Sequence, residues 1–281
     1  MSRARAVFGD DSDILTAQSD VVQRAHSADR AGFIVECRGG HESSGFFREI
    51  AVQRHDPTNL AEYTRWMLIR PHDAALDETE WRAFLSAHDF GQLIAAGRGR
   101  DVPIVVPTHF VFDGERTVRL HLAKPNPVWE AIAENPAVVM AVIDAYTYIP
   151  TDWNANAGTP VEYGIPTSYY AAVQVICRAS AIDDPDALAA ILRTQLAHFQ
   201  PQGGYARPEP GDTIYGKNLA AIRGLELAIV DVRAKFKFGG NKKPEHRVRI
   251  AERLADRDGP HDAQAREHLL RRHRRLPSIA E

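Results

Sequence analysis

The chain has 281 residues, 44% of them hydrophobic and 8% aromatic, with a formal charge of −3. The length exceeds what one small domain needs, the composition supports a full hydrophobic core, and the charge excludes a protein that coats nucleic acid with its whole surface. Two widely separated cysteines, Cys37 and Cys177, and no run near the roughly 20 apolar residues of a membrane span point to a cytoplasmic chain without disulfide staples.

Residues 1–66 hold no lysine and read as an N-terminal extension of unknown role. Within it, "GFIVEC" and "SGFFREIAVQ" predict a hairpin turning around Arg38-Gly39-Gly40-His41. A loosely ordered extension, or a working start at Met67, is the alternative. Asp77 and Glu80 then form a capping box ahead of Trp81, Phe84 and Leu85 at helical spacing. "FGQLIAA" and "IVVPTHFVF" predict strands, and Asp113-Gly114 turns into "RTVRLHLA", where apolar and polar residues alternate. Asn126-Pro127 caps a short helix. "AVVMAVIDAYTYI" and "SYYAAVQVICRASAI" predict strands on either side of a long loop over 151–166.

Asp184-Pro185 opens a helix carrying Leu188, Ile191, Leu192 and Phe199, and after a Pro/Gly-rich loop "LELAIVDVRAKFKF" is the last strand. Two polar helices broken at Gly259-Pro260 close the chain. Their stretch from Lys242 to Arg275 carries eleven Lys/Arg against six Asp/Glu, and its four histidines read as solvated. Domain limits follow: an extension over 1–66, a barrel domain over 67–241 and a basic helical segment over 242–281. Strands joined by hairpins rather than βαβ units predict an antiparallel barrel with peripheral helices.

No P-loop, no GxGxxG after a strand, no HExxH and no GxSxG is present, which removes the common nucleotide, metalloprotease and hydrolase readings. No metal-ligand spacing stands out. What remains is a set of polar and aromatic residues at strand ends: His109, His121, Lys124, Asn126, Trp153, Thr167, Ser168, Tyr170, Gln174, Lys235, Lys237 and Asn241. A planar cofactor bearing a phosphate needs cations and hydroxyls at one end and flat walls at the other. Taken singly, each residue has a plainer reading. His109 suits a hydrogen-bonded core histidine, the tyrosines suit packing, Lys235 and Lys237 suit a solvated strand face, and Cys177 suits a small core residue.

The blocks "HLAKPNPVWEAI", "YTYIPTDWN", "GIPTSYYAAVQV", "IDDPDALAAILR" and "RAKFKFGGNKKPEHR", in this order, resemble the PaiB-like FMN-binding proteins, known as negative transcriptional regulators. The resemblance implies an α+β, mainly β fold: a six-stranded antiparallel split barrel related to the pyridoxamine phosphate oxidases, forming a homodimer with FMN at the interface. It implies a flavin-dependent oxidoreductase acting on a small-molecule substrate. Lys235 and Lys237 would face the cleft, with His121, Lys124, Asn126, Trp153, Thr167, Ser168, Gln174 and Asn241 around the cofactor. His109, Tyr170 and Lys237 are the candidates for moving protons. The haem-dependent piperazate synthases are similar to this family, and on that alternative His109 would ligate haem iron. A third alternative is a regulator that meets DNA through the basic tail "EHLLRRHRR".

Overall fold

The computed structural model describes the backbone of residues 33–42 and 45–54, and residues 67–211 and 213–275. The chain divides into two compact units, the first carrying a hairpin and the second the main sheet with its helices. In the first unit, β1 (Phe33–Glu42) pairs antiparallel with β2 (Gly45–Arg54). The hairpin pairs Glu42 with Gly45, and Arg38-Gly39-Gly40-His41, expected at the turn, runs inside β1.

In the second unit, α1 (Glu78–Ser86) begins as its capping box dictates. Asp77 accepts from the Glu80 amide at 2.9 Å, and the Glu80 carboxylate accepts from the Leu76 amide at 2.7 Å. Then come β3 (Phe90–Ala95), β4 (Ile104–His109), β5 (Val111–Phe112), β6 (Thr117–Ala123), α2 (Val128–Glu134) and β7 (Ala137–Ile149). The short α3 (Thr151–Asn154) leads through the loop to β8 (Thr167–Ile182). Next are α4 (Pro185–Phe199), α5 (Gly216–Leu219), β9 (Ile222–Lys237), α6 (Pro244–Arg257) and α7 (Asp262–Arg275).

The sheet has seven antiparallel strands in the order β4-β3-β7-β8-β9-β6-β5, which corrects the expected six. The extra strand arises because "IVVPTHFVF" is not one strand: Phe110, fully buried, breaks it into β4 and the two-residue β5. That break also closes the fold. β4 and β5 stand at opposite ends of the strand order, yet only Phe110 separates them, so their ends lie at most about 7 Å apart. The sheet therefore curls enough to bring the end of β4 beside β5, with no ladder between these two strands. The interior is filled by inward residues such as Leu93, Leu120, Met140, Val173, Leu225 and Phe236. Cys177 belongs to this core, and burial pushes its thiol up to about 12, as befits a packing residue.

The C-terminal helices are tied to the barrel by Asp262, which is buried. Its carboxylate accepts from the Thr147 hydroxyl of β7 at 2.6 Å, from Arg257 at 2.7 Å and from the Gly259 amide at 2.9 Å. The Arg257 bonds hold its pKa down to about 2, with help from Thr147 and Gly259 against the opposing effect of burial. Because the folded value lies below the ordinary 3.8, the stabilisation of about 2 kcal/mol is complete above pH 4. It drains away as pH falls from there towards 2. Asp262→Asn is expected to lose that increment at pH 7, and its difference from the parent should shrink to about a third by pH 2.5, as urea melts at the two pH values will show.

Candidate functional site

Strand alternation sorts the candidate residues. On β8 and β9, Tyr170 pairs with Lys237, Ala172 with Lys235 and Gln174 with Arg233, so all six side chains project from the outer face of the sheet. The ammonium groups of Lys235 and Lys237 stand 5.7 and 5.9 Å from the centre of the Tyr170 ring. Lys237 Nζ donates to the Thr167 hydroxyl at 2.8 Å, and Lys235 Nζ donates to the Leu68 carbonyl at 2.8 Å. Ser168, on β8 opposite Tyr148 of β7, shares this face. Beside it the sheet exposes Ile143 (69%) and Tyr148 (50%). Two cations over an aromatic ring, a hydroxyl and an apolar plate thus share one surface.

The strand stops at the glycines for steric reasons. Gly239 has φ +66°, and a Cβ there would meet the Tyr169 hydroxyl at 2.4 Å. At Gly240 a Cβ would lie 2.1 Å from the His72 carbonyl oxygen. Asn241 is exposed in the turn that follows.

His109 and His121 form a second cluster, on the seam. Their rings meet edge to face at 5.3 Å, Phe199 of α4 covers His109 at 5.2 Å, and His121 Nδ1 lies 2.6 Å from the Gln195 side-chain oxygen of α4. Burial, and after it the neighbouring His121, lower the pKa of His109. His121 is level with Gly224 at the start of β9, whereas Lys235 lies eleven residues further on. At about 3.3 Å per residue that is on the order of 35 Å along the strand. His109 pairs with the exposed Phe90 on the edge of the same sheet, with β3, β7 and β8 between β4 and the lysines of β9.

The other predicted residues have structural partners. The Asn126 side chain accepts from the Val128 amide at 3.0 Å and caps α2, while the exposed Lys124 gives its backbone amide to Ala221 at 2.9 Å. The Trp153 ring lies under the Arg257 guanidinium at 4.5 Å, and its carbonyl lies 3.1 Å from His246 Nε2, which ties α3 to α6. His246 is buried and His268 stacks on Phe238 at 4.6 Å, so neither is the solvated side chain expected. Burial brings His268 down to about 4. Sequence reasoning missed Arg233, which the period-two run Arg233, Lys235, Lys237 does signal.

The family model described as "Putative FMN-binding domain" matches residues 67–231, more than half of the chain. The chain belongs to this FMN-binding-domain family. Lys235 and Lys237 follow directly after the matched range. Among curated proteins, none matches the chain in sequence. Among solved structures it is similar to the flavocytochrome Anf3 of Azotobacter vinelandii, at 22% identity and a TM-score of 0.47 over 65% of this chain and 76% of that one. It is also similar to an FAD- and haem-binding protein of Mycobacterium smegmatis, at 18% identity and a TM-score of 0.46 over 59% and 74%. A third is an FAD-binding protein of Mesorhizobium loti, at 17% identity and a TM-score of 0.36 over 57% and 93%. No helix among the described residues is long and apolar enough to cross a membrane.

Proposed function

We propose that this member of the FMN-binding-domain family is a PaiB-type flavoprotein that holds FMN on the outer face of β8 and β9 and serves as an oxidoreductase for a small molecule. The observation that carries it is the pairing of Lys235 and Lys237 over Tyr170, beside the Thr167 hydroxyl and an exposed apolar strip. That donor set fits FMN: cations and a hydroxyl for the phosphate, an apolar plate for the ring system, and the Gln174 amide for its polar edge. The flavin supplies the electron-transfer chemistry. The chain supplies charge, orientation and exclusion of water.

A homodimer belongs to the reading. Outward Phe90 is 61% exposed and Ile143 69% exposed on the same sheet, an apolar face that a second copy would cover. Such a seat also lets His109 of one copy approach a flavin held by Lys237 of the other. His109 supports the haem alternative through one property: its lowered pKa keeps the imidazole neutral near pH 7, the form that ligates iron.

The deciding measurement is the absorption spectrum of the purified chain after gel filtration, alone and after incubation with FMN or with haemin. A two-banded flavin spectrum that co-elutes with a dimer is the expected result. A Soret band that weakens in His109→Ala, with no retained flavin, would replace the proposal with haem chemistry.

A further inference from the structure

Behind the outer face lies a buried cation without a hydrogen-bonding partner among the described residues. Arg247, on the first turn of α6, is 1% exposed, and none of its three guanidinium nitrogens has a hydrogen-bond partner among the described residues. The Tyr169 hydroxyl, likewise buried, also has none, and the two groups are electrostatically coupled. The Gly239-Gly240 turn lies against the Tyr169 hydroxyl, Leu269 of α7 and the Pro71–Asp73 turn.

A guanidinium withdrawn from water without an acceptor costs several kcal/mol, so a fold that keeps one gives it an acceptor. The nearby carboxylates have other engagements. Glu80 faces Arg272 at 3.6 Å, Asp73 faces His72 at 3.8 Å and Tyr169, and Glu245 is exposed, where water screens it. The positive end of the α6 dipole adds to the potential, since its N-cap residue Lys243 contributes no side-chain acceptor. Bound water would satisfy the N–H groups but not the net charge. An anion does both.

We propose that Arg247 and Tyr169 hold one small monovalent anion, a halide or formate-sized carboxylate, beneath the Gly239-Gly240 turn. The size follows from the donor set, one guanidinium and one hydroxyl, which serves one small anion. The fork of the guanidinium and the tyrosine hydroxyl supply the donors. The site is separate from the Lys235–Lys237 surface, because Tyr169 and Tyr170 point to opposite faces of β8. It therefore acts on the stability of the β9 turn and does not depend on the flavin reading.

The test uses the full chain. At constant ionic strength, replacing gluconate by bromide or formate should raise Tm saturably, by ~5 °C at about a hundred times the dissociation constant. In crystals soaked in bromide an anomalous peak should lie within hydrogen-bonding distance of Arg247. Tyr169→Phe, which keeps the packing, should reduce the shift, and Arg247→Met should abolish it. A Tm indifferent to bromide and formate, or crystals without bromide at Arg247, would leave the site to water and overturn the proposal. A response to phosphate alone would overturn the small-anion assignment.

Discussion

Arg272→Met is expected to destabilise the protein by about 3–5 kcal/mol, the cost of leaving one member of a buried ion pair alone. Arg272 of α7 is fully buried. Its guanidinium donates to the Ala74 carbonyl, at 3.2 Å from Nη1 and also from Nη2, and faces Glu80 at 3.6 Å. It also lies 5.7 Å from the Phe236 ring. One side chain thus joins the last described helix, the segment before α1 and the β9 strand that carries the lysines. Glu80→Gln keeps an acceptor for the Leu76 amide but removes the charge, so it isolates the electrostatic part. Each single variant should be costly, and Glu80→Gln with Arg272→Met should cost less than the sum by about 1–3 kcal/mol. Strict additivity in a urea-denaturation cycle would show that the two residues stabilise the fold independently.

Much of the fold was legible because its signals are local. Alternation over 117–122 gives β6, the Asp77 and Asp184 caps place α1 and α4, and Gly259-Pro260 separates α6 from α7. The seventh strand was not legible, since the break falls at the buried Phe110 and not at any turn residue. The burial of His246 and His268 was hidden in the same way: a polar helix shows its inner face only when its partner is known. For the site, one-dimensional reading placed Lys235 and Lys237 on one strand face, and the structure sets both beside Tyr170. It did not foresee that His109 sits on the edge strand β4 against His121 and Phe199. Nor did it find the burial of Arg247 on an otherwise polar helix.

Lys237→Ala should weaken FMN binding by about 10- to 100-fold, the loss of one charge-assisted contact of about 1.5–3 kcal/mol. Lys237 is the better probe of the two lysines. Its ammonium is aimed along the face by Thr167 at 2.8 Å, whereas Lys235 is partly engaged by the Leu68 carbonyl. If the contact is to phosphate, the variant should bind riboflavin as well as the parent does, because riboflavin lacks that group. The same logic predicts that the parent's preference for FMN over riboflavin shrinks as salt is raised, while the riboflavin affinity barely moves. Thr167→Val should have a smaller effect in the same direction, through loss of the hydroxyl that orients the ammonium. Equal losses for FMN and riboflavin in Lys237→Ala would place the lysine against the ring system instead. Unchanged titrations with both would remove the outer face of β8 and β9 as the flavin site.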